Sequence, residues 1–193
     1  MELFYTLQGE GVYQGRAATF IRLAGCDVGC VWCDVKESWD TAKHPFWSIE
    51  QILDEVKKYP ADIVVVTGGE PLMHNLKALT TSLRKNGKRT HLETSGTYPI
   101  TGSWDWICVS PKKFKVPLSE VLYQAQELKV VIYNKSDFNW AIQNATQVNQ
   151  QCALLLQPEW SREKQMLPLM IDFVKNNPQW RISLQTHKYM NIP

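Results

Sequence analysis

Hydrophobic positions along this chain switch repeatedly between two spacings. Some stretches are short and almost wholly apolar or β-branched, as in Ile63-Val64-Val65-Val66. Others place apolar residues every third or fourth position, as in Ile49, Ile52, Leu53 and Val56. The second pattern predicts an amphipathic helix, and the first predicts a strand covered on both faces, as in a parallel sheet. Ser48 stands before the first helix as an N-cap, with Gln51 three residues on in a capping-box pattern, and Pro60 stops it.

The alternation persists to the end of the chain. Strands are predicted at residues 19–23, 62–66, 89–93, 106–109, 127–132, 152–156 and 181–184. Between several of them lie predicted helices: one marked by Leu76, Leu79 and Leu83 that ends near Asn86-Gly87, then 118–126, 136–145 and 162–175. Repeated βα units imply an α/β fold with a parallel sheet and right-handed crossovers. A closed eight-fold barrel takes about 250 residues. The 193 residues here have room for about six βα units, so a partial, open parallel β/α barrel is expected, as a single domain over residues 1–193. No internal repeat, low-complexity segment or linker interrupts it. In such folds the chemistry gathers beyond the carboxyl ends of the strands. Polar motifs fall there: Thr67-Gly68-Gly69-Glu70, Glu93-Thr94-Ser95-Gly96, Ser110-Pro111-Lys112 and Gln157-Pro158.

Composition narrows the function classes. Hydrophobic residues make up 44% and charged residues 21%, ordinary for a globular domain. The net charge of +2 is too balanced to signal direct nucleic-acid binding. The basic run Lys112-Lys113-Phe114-Lys115 reads as a solvated loop unless a motif claims it. The N-terminus has no basic segment followed by a long apolar one, and no apolar run approaches the roughly 20 residues that span a bilayer. A cytoplasmic location without membrane attachment is the default expectation.

Five cysteines occur. Cys108 and Cys152 sit in apolar runs and read as small core hydrophobes. Cys26, Cys30 and Cys33 crowd into one loop after the first predicted strand, a poor disulfide framework and a better metal site in a reducing compartment. Three thiolates in a C-x3-C-x2-C loop can hold three irons of a cubane and leave the fourth iron open. Zinc stays open as the plainer alternative. It wants four closed ligands, however, and the usual second pair is absent. His44 is the nearest histidine to offer a fourth, at a spacing that matches no common zinc pattern.

This loop resembles that of the radical S-adenosylmethionine (SAM) superfamily, including the aromatic Trp32 directly before the last cysteine. A second resemblance is Gly68-Gly69-Glu70-Pro71 at the end of the second predicted strand. Glycines suit a backbone that must approach a ligand closely, although a lone Gly-Gly reads equally well as a tight turn. The resemblance implies a [4Fe-4S] cluster on Cys26, Cys30 and Cys33, with SAM on the open iron and cleavage to a 5′-deoxyadenosyl radical. It implies SAM contacts from Trp32, Asp34, Gly68, Gly69, Glu70, Ser110, Pro111, Lys112 and Gln157.

Within the superfamily, nearly the whole chain is similar to the ring-contracting enzymes that make 7-carboxy-7-deazaguanine on the route to queuosine and related 7-deazapurines. The similarity rests on Thr6-Leu7-Gln8-Gly9-Glu10-Gly11, on the run from Phe20 to Cys26, on Glu93-Thr94-Ser95-Gly96, Val109-Ser110-Pro111-Lys112 and Leu156-Gln157-Pro158, and on the tail Gln185-Thr186-His187-Lys188-Tyr189 ending at Pro193. The implied substrate is 6-carboxy-5,6,7,8-tetrahydropterin. Its contacts would come from Leu7, Gln8, Gly9, Glu10, Thr67, His187 and the Pro193 carboxylate, with Arg22 meeting the substrate carboxylate through its planar fork. His187 reads equally as a satisfied structural histidine. The implied reaction abstracts hydrogen at C6, contracts the ring, returns the hydrogen and releases ammonia. A flavodoxin- or ferredoxin-type electron donor and a homodimer are implied as well.

The family commonly has a Thr after the Cys-Asp pair that ligates Mg²⁺. Here that position is Val35, which offers no oxygen. Mg²⁺ is expected to rely on substrate, water and Asp34 or the backbone, or to be absent. Two rival readings stand beside this one. A glycyl-radical-enzyme activase shares the cysteine loop but leaves the Gln8-Gly9-Glu10 loop without a role. A non-catalytic iron–sulfur or zinc-binding module leaves Gly68-Gly69-Glu70-Pro71 unexplained.

Overall fold

The computed structural model of the protein describes residues 2–193. Eight strands form one sheet in chain order: β1 (Glu2–Leu7), β2 (Ala17–Leu23), β3 (Ile63–Gly68), β4 (Arg89–Thr94), β5 (Trp106–Val109), β6 (Glu127–Ile132), β7 (Ala153–Pro158) and β8 (Trp180–Ile182). From β2 to β8 every neighbour is parallel, with Arg22 level with Thr67 and Val131 level with Gln157. β1 and β8 are the two edges, so the barrel is open, as expected.

Five of the six connections between parallel strands carry a helix: α1 (Ile49–Val56), α2 (Lys77–Lys85), α3 (Ser119–Tyr123), α4 (Ser136–Ala145) and α5 (Glu163–Asn176). The exception is residues 95–105, between β4 and β5. A last helix, α6 (Thr186–Met190), follows β8. The predicted capping box is present: Ser48 Oγ accepts from the Gln51 amide and Gln51 Oε1 accepts from the Ser48 amide. α2 ends at Asn86, with Gly87 at φ 72° just beyond.

Some expectations need correction. β1 was not anticipated, because it is an edge strand with no fully buried residue and hence no clean alternation. It pairs antiparallel to β2, with Glu2 opposite Arg22. The predicted helix 118–126 stops at Tyr123, because Gln126 already donates its amide to Ile107 and so begins the pairing with β5. β8 begins at Trp180 and ends at Ile182, short of the predicted 184.

The alternation of side chains sorts residues onto two faces. One face turns Val64, Val66, Leu92, Leu128, Val130 and Leu156 against Ile52 and Val56 of α1, Leu79 and Leu83 of α2, and Met166 and Met170 of α5, all buried. The other face carries a small apolar plug at the amino ends of the strands, where Ala18, Ile63 and Val65 meet Tyr13 and Phe20. Towards the carboxyl ends the same face is polar, with Thr67, Glu93, Ser110, Lys129 and Gln157 around a cavity. Cys108 and Cys152 are buried, as expected.

Candidate active site

The cavity has a volume of about 310 Å³ and gathers residues from both ends of the chain. Its wall includes Cys26, Cys30, Trp32, Cys33 and Asp34 from the loop after β2, and Thr67, Gly68 and Gly69 from the end of β3. Ser110, Lys112 and Gln157 join them from the ends of β5 and β7. Leu7, Gln8, Gly9, Glu10, Arg22, His187 and Pro193 complete the residues foreseen from sequence. Glu70 and Pro111, also foreseen as SAM contacts, do not line it.

Glu70 points into the fold, and its oxygens are taken. Oε1 accepts from the Leu72 amide at 3.0 Å and Thr94 Oγ1 at 2.5 Å. Oε2 accepts from the Ser95 amide at 2.8 Å and Ser95 Oγ at 2.5 Å. Its work is to fasten the turn after β3 to the end of β4. Pro111 is buried between two cavity residues, and its carbonyl faces the Trp140 indole N–H at 3.4 Å.

The need for glycine at 68 and 69 also differs from the sequence-based account. The Gly69 amide donates to Leu23 O at 2.9 Å and the Glu70 amide to Gly25 O at 2.8 Å, so the β3 turn is stitched to the cysteine loop. A Cβ on Gly68, whose φ is 128°, would lie 2.1 Å from Leu23 O. One on Gly69 would lie 2.2 Å from Gly25 O and 2.9 Å from Cys26 Cβ. The pair is required by this backbone contact, before any ligand is considered.

All three loop cysteines are free thiols. Burial pushes Cys30 up to about 11 and raises Cys26, and Cys33 raises both further. Among the described residues no three His, Cys, Asp or Glu side chains converge as a single-ion site. All three line the cavity, and a cluster can be held with each thiolate on a different iron. His44, the conceivable fourth zinc ligand, is held at 2.8 Å by the Glu37 carbonyl and is not part of the cavity wall. The loop is braced from outside. Lys115 donates to Asp27 Oδ2 at 2.7 Å and to Tyr98 OH at 2.9 Å, while His74 Nε2 meets Ala24 O at 2.8 Å. Lys112 is lowered by burial, donates to Ser110 Oγ at 2.5 Å, and lies 5.2 Å from the centre of the Trp32 ring. The basic run therefore splits between a cavity residue and an exposed brace.

The opposite wall is a polar network that sequence reasoning only half found. Glu10 Oε2 pairs with Lys129 Nζ at 2.7 Å, and Glu10 Oε1 accepts from Gln185 Nε2 at 2.8 Å. Lys129 also reaches Glu93 Oε2 at 3.0 Å, and Glu93 Oε1 accepts from Gln8 Nε2 at 3.3 Å. Burial alone would raise Glu10, but the Lys129 ammonium and the hydrogen bonds from Lys129, Gln185 and Gln157 bring it down to about 2. Arg22 stacks over Phe4 and pairs with Glu2 at 2.7 Å. His187 is lowered by burial and lies against Gly9, where a Cβ would come within 2.3 Å of its Nδ1. Asp34 already pairs with Lys188 at 3.1 Å, and Val35 beside it lines the cavity without an oxygen to offer. Lys129 was given no role from sequence, and Glu93, Gln185 and Lys188 only a place in motifs. The available signal for Lys129 was a lone cation inside the apolar run Leu128 to Ile132.

An open parallel α/β barrel with a C-x3-C-x2-C loop at the end of its first parallel strand defines a radical SAM protein, and residues 20–107 match the Radical SAM superfamily. Such proteins use a [4Fe-4S] cluster and SAM. The chain is 55% identical, over 193 residues, to the 7-carboxy-7-deazaguanine synthase of Flavobacterium psychrophilum, which spans 100% of this chain and 91% of that one. It is 46% identical to the enzyme of the same name from Synechocystis, over 99% of this chain and 91% of the relative. The crystal structure of QueE from Escherichia coli matches with a TM-score of 0.85 at 34% identity, over 96% of this chain and 92% of that chain. The protein belongs to the 7-carboxy-7-deazaguanine synthase family. The activase and non-catalytic readings are set aside by these full-length relatives.

Proposed function

We propose that this protein converts 6-carboxy-5,6,7,8-tetrahydropterin to 7-carboxy-7-deazaguanine with loss of ammonia, in this one cavity. The observation that carries the reading is the juxtaposition there of three free thiols with a wall of acceptors, donors and the Arg22 guanidinium. When bound, the reduced cluster and SAM supply the 5′-deoxyadenosyl radical that opens the reaction.

The chain's own residues bind and orient. Cys26, Cys30 and Cys33 hold the cluster, and Trp32, Gly68, Gly69, Ser110, Lys112 and Gln157 form the SAM side. Leu7, Gln8, Gly9, Glu10, Thr67, His187 and Pro193 form the pterin side, with Arg22 turned to the substrate carboxylate. A guanidinium now paired with a half-exposed Glu2 can exchange it for a better-placed bidentate anion. Phe4, Phe20, Val28, Trp39, Val131 and Trp160 supply apolar wall that keeps water from the reacting atoms. Glu70 acts behind the wall by holding the β3 turn. With Val35 oxygen-free, Mg²⁺ has only substrate, water, backbone and an Asp34 that must be shared with Lys188 to hold it, and turnover without added Mg²⁺ is expected. A single domain, a cytoplasmic setting, a homodimer and a flavodoxin- or ferredoxin-type donor complete the reading. No described helix is long and apolar enough to cross a membrane.

The test is anaerobic reconstitution of the cluster, then incubation with SAM, dithionite and the tetrahydropterin, with and without Mg²⁺. 7-Carboxy-7-deazaguanine that appears only with all three components is the expected result. Formation of 5′-deoxyadenosine without any deazapurine would overturn the substrate assignment.

A further inference from the structure

Lys129 is the charged group of the cavity with the deepest seat. Its side chain is 5% exposed, and its strand neighbours Leu128 and Val130 turn the other way into the helix-covered core. A lysine costs several kcal/mol to bury in such a place unless it is paired. Here it is paired twice, to Glu10 on the β1–β2 loop and to Glu93 at the end of β4. Two carboxylates this close in a low-dielectric cavity repel each other. The cation between them removes that conflict.

The remaining hydrogen bonds leave both carboxylates with capacity to spare. An ionised carboxylate has about four acceptor sites. Glu10 takes hydrogen bonds from Lys129, Gln185 and Gln157, and Glu93 from Lys129 and Gln8. Both residues line the cavity. With one cation against two anions, this wall is left net negative, so it suits N–H donors and repels an anion. The substrate's own carboxylate is thereby directed to the Arg22 side.

We propose that Lys129 is a positioning residue that fixes Glu10 and Glu93 as twin acceptors for the N–H groups of the pterin ring. The inference rests on the substrate reading above. It makes the pocket selective for a donor-bearing ring edge, and it sets the ring's orientation before chemistry begins. Other groups also bear on this triad: Cys108 from β5 and Glu127 from β6 face Lys129, while Lys112 and His187 act on Glu10.

The test measures calorimetric binding of 6-carboxy-5,6,7,8-tetrahydropterin to the reconstituted holoenzyme with SAM and no reductant, from about pH 8 to about pH 6. Lys129→Met, Glu93→Gln and the double variant are compared with wild type, and folding is checked by circular dichroism. Truncating one partner of a buried charge pair predicts a loss of affinity of roughly 30-fold for Lys129→Met. That loss should deepen as pH falls, where the wild type stays flat. His187 is common to both proteins, so the difference between the two profiles reports the carboxylates. The double variant should bind no worse than Lys129→Met, because Glu93 is no longer held in place once its cation is gone. Affinity and pH profile unchanged by Lys129→Met would overturn the inference, and so would losses that simply multiply in the double variant. If Lys129→Met alone does not fold, the double variant is read against Glu93→Gln. A further loss of roughly 10-fold is then expected, and equal binding overturns the proposal. A wild-type protein that neither binds nor converts the tetrahydropterin would instead sink the substrate reading itself, a separate result.

Discussion

Leu128, Val130 and Ile132 of β6 turn one way, into a dry layer shared with helices, whereas Glu127, Lys129 and Val131 turn the other way, among carboxylates, amides and the cavity. One strand thus serves two faces built on opposite terms. On the helix side, burial of apolar area supplies the stabilisation, and almost any well-shaped hydrophobe will serve. On the cavity side, charges are buried at a cost and tolerated because each is matched. Even there one group stays unmatched: Glu127 Oε2 accepts from the Val12 amide and the Trp106 indole, while Oε1 has no partner and burial raises the carboxyl. Stability is concentrated on one face and function on the other, separated by a single residue step.

That separation can be broken by experiment. The largest effect on the helix side is expected from Leu128→Ala, a fully buried side chain whose truncation costs about 3 kcal/mol. The melting temperature should fall by roughly 6–12 °C, while product formed per folded molecule stays unchanged. A matching fall in turnover would show that the faces are not independent. Glu70→Gln probes the seam between them. Replacing an acceptor of four hydrogen bonds with a group that must also donate should cost about 2 kcal/mol. Because Glu70 holds the β3 turn, SAM affinity in equilibrium binding should drop as well, and a stability loss with normal SAM binding would confine Glu70 to the core.

The smallest effect is a pH dependence from His91, on the cavity face beneath the network. Burial lowers it to about 4, and its Nε2 has no partner. The unfolded chain takes up that proton first, near its ordinary value of 6.5. Stability is therefore lost as pH falls from about 6.5 towards 4, by under about 1 kcal/mol between pH 7 and pH 6. His91→Gln should flatten that part of a denaturant-midpoint profile, and an unchanged slope would place the effect in another group.

The two faces were also unequally legible in the sequence. The helix side showed itself through periodicity, since each buried strand and helix has to repeat its hydrophobes at the element's own spacing; 106–109, 127–132 and 136–145 were placed to the residue. β1 escaped because its residues are at most partly buried, Leu3 against the core and Phe4 at the cavity, which leaves no clean alternation. On the cavity side, residues that act as contiguous backbone loops were readable, including the cysteines, Gly68-Gly69 and Gln8 to Glu10. Residues that act through partners far away in the chain were not. Lys129 meets carboxylates 119 and 36 positions distant, and no local pattern encodes such a meeting. Glu70 was read as a ligand contact because its motif is local, while its partners Thr94 and Ser95 lie 24 and 25 positions on.

The β1–β2 loop is tied to the last segment of the chain. Gly9 O accepts from the Thr186 amide and hydroxyl, Glu10 accepts from Gln185, and the Gly11 amide donates to Ser183. The order of synthesis follows from this. While the polypeptide is being made, the sheet can grow strand by strand from neighbours already present, but the β1–β2 loop waits for partners that are translated only after all eight strands. The cysteine loop, made about 150 residues before those partners, can therefore take shape well before the loop on the opposite wall is fastened.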